Sequence, residues 1–134
     1  MTTRSTSGRR AKRPALLVIG GEPIVSDYLS QRLRPLPCEI VTARLPSQAL
    51  QCVTHRPVPL VICDDRAPSM RSFDLIGEIK TRSPTTQVVL LVPSGSPEQE
   101  RRAKAAGADA YLPYCFAHRR LAAIFDEVFA SNSV

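Results

Sequence analysis

Residues 60–68 read LVICDDRAP, an apolar run that breaks into two adjacent carboxylates, Asp64 and Asp65. A carboxylate emerging from a buried strand can serve as a nucleophile, a metal ligand or the cap of the following loop. Successive strand side chains point to opposite faces, so one of the pair is expected to enter a cleft and the other to turn away. Near the N-terminus, LLVIGGEP (16–23) runs from a second apolar segment into Gly20, Gly21, Glu22 and Pro23. Glycines after a strand raise the question of a phosphate cradle. The spacing is neither G-x-G-x-x-G nor a P-loop with its Lys-Ser/Thr, and Pro23 removes a backbone donor that such a cradle would use. A nucleotide site is not expected there.

Sulfur chemistry is the other option. The four cysteines, Cys38, Cys52, Cys63 and Cys115, form no C-x-x-C, and His55 and His118 stand alone rather than at metal-ligand spacing. Zinc and a disulfide framework are poor readings; small buried hydrophobes in a reducing compartment fit better. Cys115 lies at a strand end, a suitable place for a reactive thiol, but no Lys or His adjoins it to lower its pKa. Cys63 is expected to point into the core. A small catalytic or redox-sensing protein using Cys115, Cys63 or Asp64 is therefore the alternative reading.

The elements that position these residues follow from periodicity. ALLVIG (15–20), CEIVTA (38–43), PLVICD (59–64), QVVLLV (87–92) and DAYLP (109–113) read as strands, two of them continuous enough to be buried on both faces. Helical spacing recurs between them: Ile24, Tyr28, Leu29 and Leu33; Ala49, Leu50 and Val53; Phe73, Ile76 and Ile79. The fourth helix opens with Ser96 as N-cap, Pro97 at its first position and Gln99 completing a capping box, and it closes at Gly107. The fifth carries a stripe of Leu121, Ile124, Phe125, Val128 and Phe129. The order is (βα)5, an α/β domain with one doubly wound, parallel, five-stranded sheet. In such sheets the chemistry gathers outside the carboxyl ends of the strands.

Composition narrows the partners. The 134 residues are enough for one domain with its own core, and 43% are hydrophobic. The net charge of +6 is uneven, because Arg4, Arg9, Arg10, Lys12 and Arg13 fall in the first fourteen residues, leaving 13 cations against 12 anions elsewhere. The basicity thus belongs to an N-terminal tail (1–14) that reads as disordered, not to a nucleic-acid-binding face. The apolar run after the arginines is too short for a signal peptide, and nothing approaches a membrane span. A cytoplasmic protein is expected.

Four motifs now fall into a familiar order. LLVIGGEP, TARLPSQAL (42–50), PLVICDDRAPSM (59–70) and AGADAYLPYCF (106–116) together resemble the receiver domain of two-component response regulators, from Pro14 to about Phe129. The resemblance implies a flavodoxin-like receiver fold over 15–130, flanked by tails at 1–14 and 131–134. It places Asp64, followed four residues later by Pro68, at the phospho-acceptor position. It also shows departures: Gly20 and Gly21 stand where acids hold Mg²⁺, with Glu22 beside them. Val92 replaces a hydroxyl residue, Tyr114 a lysine and Cys115 a proline. Tyr111 matches the family's switch aromatic, with a half-buried packing residue as the alternative. Arg66 either folds over Asp64 as a substitute cation or points into water while Asp64 caps a loop. The resemblance therefore implies an atypical, stand-alone pseudo-receiver in phosphorelay signal transduction. It is expected to be no enzyme, to need no cofactor, and to bind Mg²⁺ weakly if at all. Its expected partner is a protein, a histidine kinase among the candidates, with no membrane and no specific nucleic acid. The face of the fourth helix, fifth strand and fifth helix, about Glu98 to Phe129, is the one expected to carry partner or homodimer contacts.

Overall fold

Runs of Val, Ile and Leu form the centre of the domain because only a sheet covered on both sides buries every residue of such a run. The computed structural model describes residues 14–20, 38–66 and 70–132. Its strands are β1 (Ala15–Ile19), β2 (Glu39–Ala43), β3 (Leu60–Asp64), β4 (Gln87–Val92) and β5 (Ala110–Pro113). The described helices are α1 (Pro46–His55), α2 (Met70–Arg82), α3 (Pro97–Ala106) and α4 (Tyr114–Asn132). These are the second to fifth helices of the sequence pattern. The first, with Ile24, Tyr28, Leu29 and Leu33, lies outside the described residues, as do residues 1–13 of the basic tail. No helix among the described residues is long and apolar enough to cross a membrane.

All pairings are parallel, in the order β2-β1-β3-β4-β5. Strand alternation divides the core in two. Leu17, Val61, Cys63, Val88, Leu90 and Val92 face α1, α2 and α3, meeting Ala49, Val53, Phe73, Ile76, Ile79 and Ala103. Leu16, Val18, Leu60, Ile62, Val89, Leu91 and Leu112 face α4, meeting Leu121, Phe125, Val128 and Phe129. Within α4 the rings of Phe125 and Phe129 stack tilted, with centroids 4.7 Å apart. Burying residues of this size contributes about 1.5–3 kcal/mol each, which is what drives the sheet to form.

Helix α3 stops where expected. Gly107 has φ 120°, and a Cβ there would lie 2.8 Å from Lys80 Cγ, so both conformation and space require glycine. Lys80 then donates to the Thr86 carbonyl at 2.7 Å and to Asp109 Oδ2 at 3.0 Å. The same Asp109 oxygen accepts the Val88 N–H at 2.8 Å, fixing where β5 enters beside β4. Strand β5 lies at one end of the order and finishes at Pro113, whose register partner is Val92.

Candidate functional site

The carboxyl ends of β1, β3, β4 and β5 bring Gly20, Asp64, Val92 and Tyr114 to one edge of the sheet. Asp64 is the last residue of β3 and half-buried. Its Oδ1 accepts a hydrogen bond from the hydroxyl of Tyr114, the first residue of α4. Asp65 turns the other way, as strand alternation requires. Its Oδ2 accepts from the buried Ser72 hydroxyl of α2, and its N–H donates to the Leu91 carbonyl at 3.0 Å. Of the two carboxylates, only Asp64 is directed toward the end of β5.

Gly20 has a second role beyond lacking a carboxylate. It takes φ 154°, and its N–H donates to the Ala43 carbonyl at 3.1 Å. A Cβ there would come within 2.9 Å of the Asp64 carbonyl oxygen and 3.3 Å of Asp64 Cβ. The space a side chain at position 20 would occupy is filled by Asp64 itself. Gly21 and Glu22 lie outside the described residues. Val92 is fully buried in the three-helix face of the core, so β4 ends in an apolar side chain. Arg66 is exposed.

Cys63 packs in the same core layer, as its strand position implies. Burial pushes its thiol up to about 12, and the nearby Asp65 and Asp64 carboxylates add to the rise. Such a thiol carries its proton at neutral pH and is a poor nucleophile. Burial also raises the Cys52 thiol, against the opposing pull of Arg56. The side chains of Cys115 and His118 lie outside the described part of α4.

Magnesium takes oxygen ligands in near-octahedral geometry, usually through one or two carboxylates. Among the described residues no group of three His, Cys, Asp or Glu side chains comes together. One Asp64 oxygen already accepts from Tyr114, Asp65 is turned to Ser72, and Gly20 has neither a donor nor room for one. The described side chains do not fit the metal.

Tyr111 is buried within β5, and its hydroxyl reaches the N-terminus of α3. It accepts the Ser96 N–H at 3.1 Å and donates to Gln99 Oε1 at 2.5 Å, while Ser96 Oγ accepts the Gln99 N–H at 3.1 Å. The expected capping box is therefore corrected in one respect. Gln99 closes it through the phenol rather than by taking the Ser96 N–H itself. The spacing Ser-x-x-Gln could not show this, because the inserted group comes from fifteen positions away.

Residues 16–126 match the family model described as the response regulator receiver domain. The chain is 28% identical over 100 residues to the response regulator protein PilR of Pseudomonas aeruginosa, covering 75% of this chain and 22% of that one. It is 28% identical over 109 residues to a gliding motility regulatory protein of Myxococcus xanthus, covering 80% of this chain and 14% of the relative. The chain thus spans less than half the length of the curated relatives it matches. Among solved structures, the signal receiver domain of an HD domain-containing protein from Pseudomonas fluorescens Pf-5 superposes with a TM-score of 0.74 at 27% identity, over 90% of this chain and 89% of that one. With the parallel (βα) sheet, the strand-end Asp64 and this match over most of its length, the chain belongs to the response regulator receiver domain family of two-component signalling.

Proposed function

We propose that this receiver domain signals through contact with a partner protein, and that Asp64 is held in an internal hydrogen bond in place of a metal-assisted phosphoryl site. The observation that carries this reading is the Tyr114 hydroxyl on Asp64 Oδ1. Phosphoryl transfer is catalysed by positioning and by neutralising charge on the transferred group. Tyr114 supplies a donor without a positive charge, Val92 supplies no donor, and Gly20 leaves no side chain for an ion. An ionised carboxylate accepting from a phenol is well satisfied as it stands. Signalling then rests on the surface of α3, β5 and α4, where the buried Tyr111 holds the start of α3 and the exposed Tyr114 ties α4 to β3. A histidine kinase and a second copy of this chain are the partners to test first.

The test is titration of the ¹⁵N-labelled protein with Mg²⁺ and beryllofluoride, followed by exposure to acetyl phosphate. The expected result is no saturable shift of the Gly20, Asp64 and Asp65 amides, and only slow labelling that disappears in Asp64→Ala. Sub-millimolar Mg²⁺ binding, or rapid stoichiometric labelling, would overturn the proposal.

A further inference from the structure

At the N-terminal ends of β3 and β4, the edge of the sheet opposite to Asp64, lies a cleft of about 410 Å³ bordered by Pro57, Pro59, Ser83, Thr86 and, from α4, Glu127. Its fixed groups accept hydrogen bonds and do not donate them. Thr86 is buried, and its hydroxyl donates to the Val58 carbonyl at 2.6 Å. That uses the single proton a hydroxyl carries, so in the 2.6 Å contact between Ser83 and Thr86 the donor is Ser83. Both protons are then committed, and Ser83 Oγ has only lone pairs left to offer. Pro57 and Pro59 have no N–H, so their backbone contributes carbonyls alone. The exposed Thr85 hydroxyl and Gln87 amide can turn either way. Glu127 adds a carboxylate, and no Lys, Arg or His is among the described residues of the lining. An anion would meet lone pairs and negative charge here. The complementary ligand is a group with several donors and no acceptor, an ammonium or a guanidinium.

Strand β1 enters the sheet beside this cleft. The Ala15 N–H donates to the Pro57 carbonyl at 3.1 Å, and the Pro14 carbonyl accepts the Glu39 N–H at 2.9 Å, so position 14 is fixed next to one wall. Immediately before it in the sequence come Arg9, Arg10, Lys12 and Arg13, with no acid in the first fourteen residues. We propose that the cleft is a cation-binding site, and that its occupant is an Arg or Lys side chain from residues 9–13 of the same chain. Five residues span up to about 17 Å when extended, before the length of the side chain is added. The cleft asks for no more reach than the step from Pro57 to Gln87, whose N–H donates to the Pro59 carbonyl at 2.9 Å. The bound cation donates to Ser83 Oγ and lies against the Glu127 carboxylate. A basic segment held there keeps its charge at the N-terminal edge of the sheet, away from Asp64. The proposal does not depend on whether Asp64 accepts a phosphoryl group.

The experiment uses the full ¹⁵N-labelled chain and follows the amide signals of Val58, Ser83, Thr85, Thr86 and Gln87. Combining Arg9→Gln, Arg10→Gln, Lys12→Gln and Arg13→Gln should shift these signals and leave those of Asp64 and Asp65 in place. Argininamide added to this neutralised chain should return them toward the parent positions saturably, since it supplies the missing guanidinium. Adding Glu127→Gln should weaken the argininamide by about two- to fivefold, the loss expected for one exposed ion pair. Signals at the cleft that do not respond to neutralising residues 9–13 would overturn the proposal, since a wholly solvated segment gives that result. So would the lack of a saturable argininamide shift, an affinity indifferent to Glu127→Gln, or inorganic phosphate moving the same signals in place of argininamide.

Discussion

The hydroxyl of Tyr114 meets the carboxylate of Asp64 across fifty positions of sequence. Strand β4 lies between β3 and β5 in the sheet, so the phenol reaches over the end of β4 to make the contact. That end is the apolar, buried Val92, which leaves the crossing clear of any competing donor from its own side chain.

Removing the hydroxyl with Tyr114→Phe should lower stability by about 0.5–1.5 kcal/mol, the usual net worth of one hydrogen bond, with the half-buried Asp64 turning to water for part of its compensation. Urea denaturation of the two proteins measures it. Tyr114→Lys should restore most of the loss, since an ammonium can span the same gap. Equal midpoints for wild type and Tyr114→Phe would show that the contact contributes nothing to stability.

Putting an acid back at position 20 should not rebuild a metal site. Gly20→Asp combines a φ of 154° with a Cβ 2.9 Å from the Asp64 carbonyl oxygen. Strain of that kind costs about 1–3 kcal/mol. Thermal melting should show the loss in Gly20→Asp and Gly20→Ala alike, and calorimetry should show no gain in Mg²⁺ affinity. A Gly20→Asp protein that melts like the parent and binds Mg²⁺ would contradict the packing described here.

A hydroxyl restored at β4 should likewise fail. Val92 is fully buried against the helix-covered core, so Val92→Thr places a polar group among apolar neighbours at a cost of about 1–3 kcal/mol. Acetyl phosphate labelling should not increase. A Val92→Thr variant of unchanged stability with faster labelling would mean that the hydroxyl reaches the Asp64 edge after all.

Cys63 gives the chain an alkaline weakness. Its thiol is raised from the ordinary value of 9.0 to about 12, chiefly by burial. Below pH 9 folded and unfolded chains both hold this proton, and the stabilising difference is fully present. As pH rises from 9 toward 12 the unfolded chain releases the proton first, the folded chain binds more protons, and stability falls. The slope from this one group is at most about 1.4 kcal/mol per pH unit. Urea midpoints between pH 8 and 10.5 should fall more gently in Cys63→Ala than in wild type. Parallel slopes would remove Cys63 from the account. In the native protein at pH 8 the same thiol should resist alkylation until the chain unfolds.

The elements were legible in the sequence because their signals are local. Each described strand falls within a residue of the apolar run that announced it, and Ser96 and Gly107 bound α3 as their residue types foretell. The divergence of Asp64 and Asp65 was legible too, since it follows from strand alternation alone. The contacts that define the site were not. Tyr114 looks like a lysine lost until the fold carries it over β4 to Asp64. Gly20 looks like a missing ligand, while the backbone of Asp64 pressing on it is a fact of packing. Tyr111 enters the α3 cap from β5, and no spacing within 96–99 announces a third participant. Ser72, the buried partner of Asp65, carries no sequence signal beyond a hydroxyl in the first turn of a helix.

The length of β5 has one further consequence. An outer strand offers a row of free N–H and C=O groups on which another chain can lay a strand of its own. Here that strand is only four residues long, so the row it leaves open is short. Strand addition along this edge is cut short where β5 meets α4. The open edge of β5 therefore offers another strand a ladder of four residues at most.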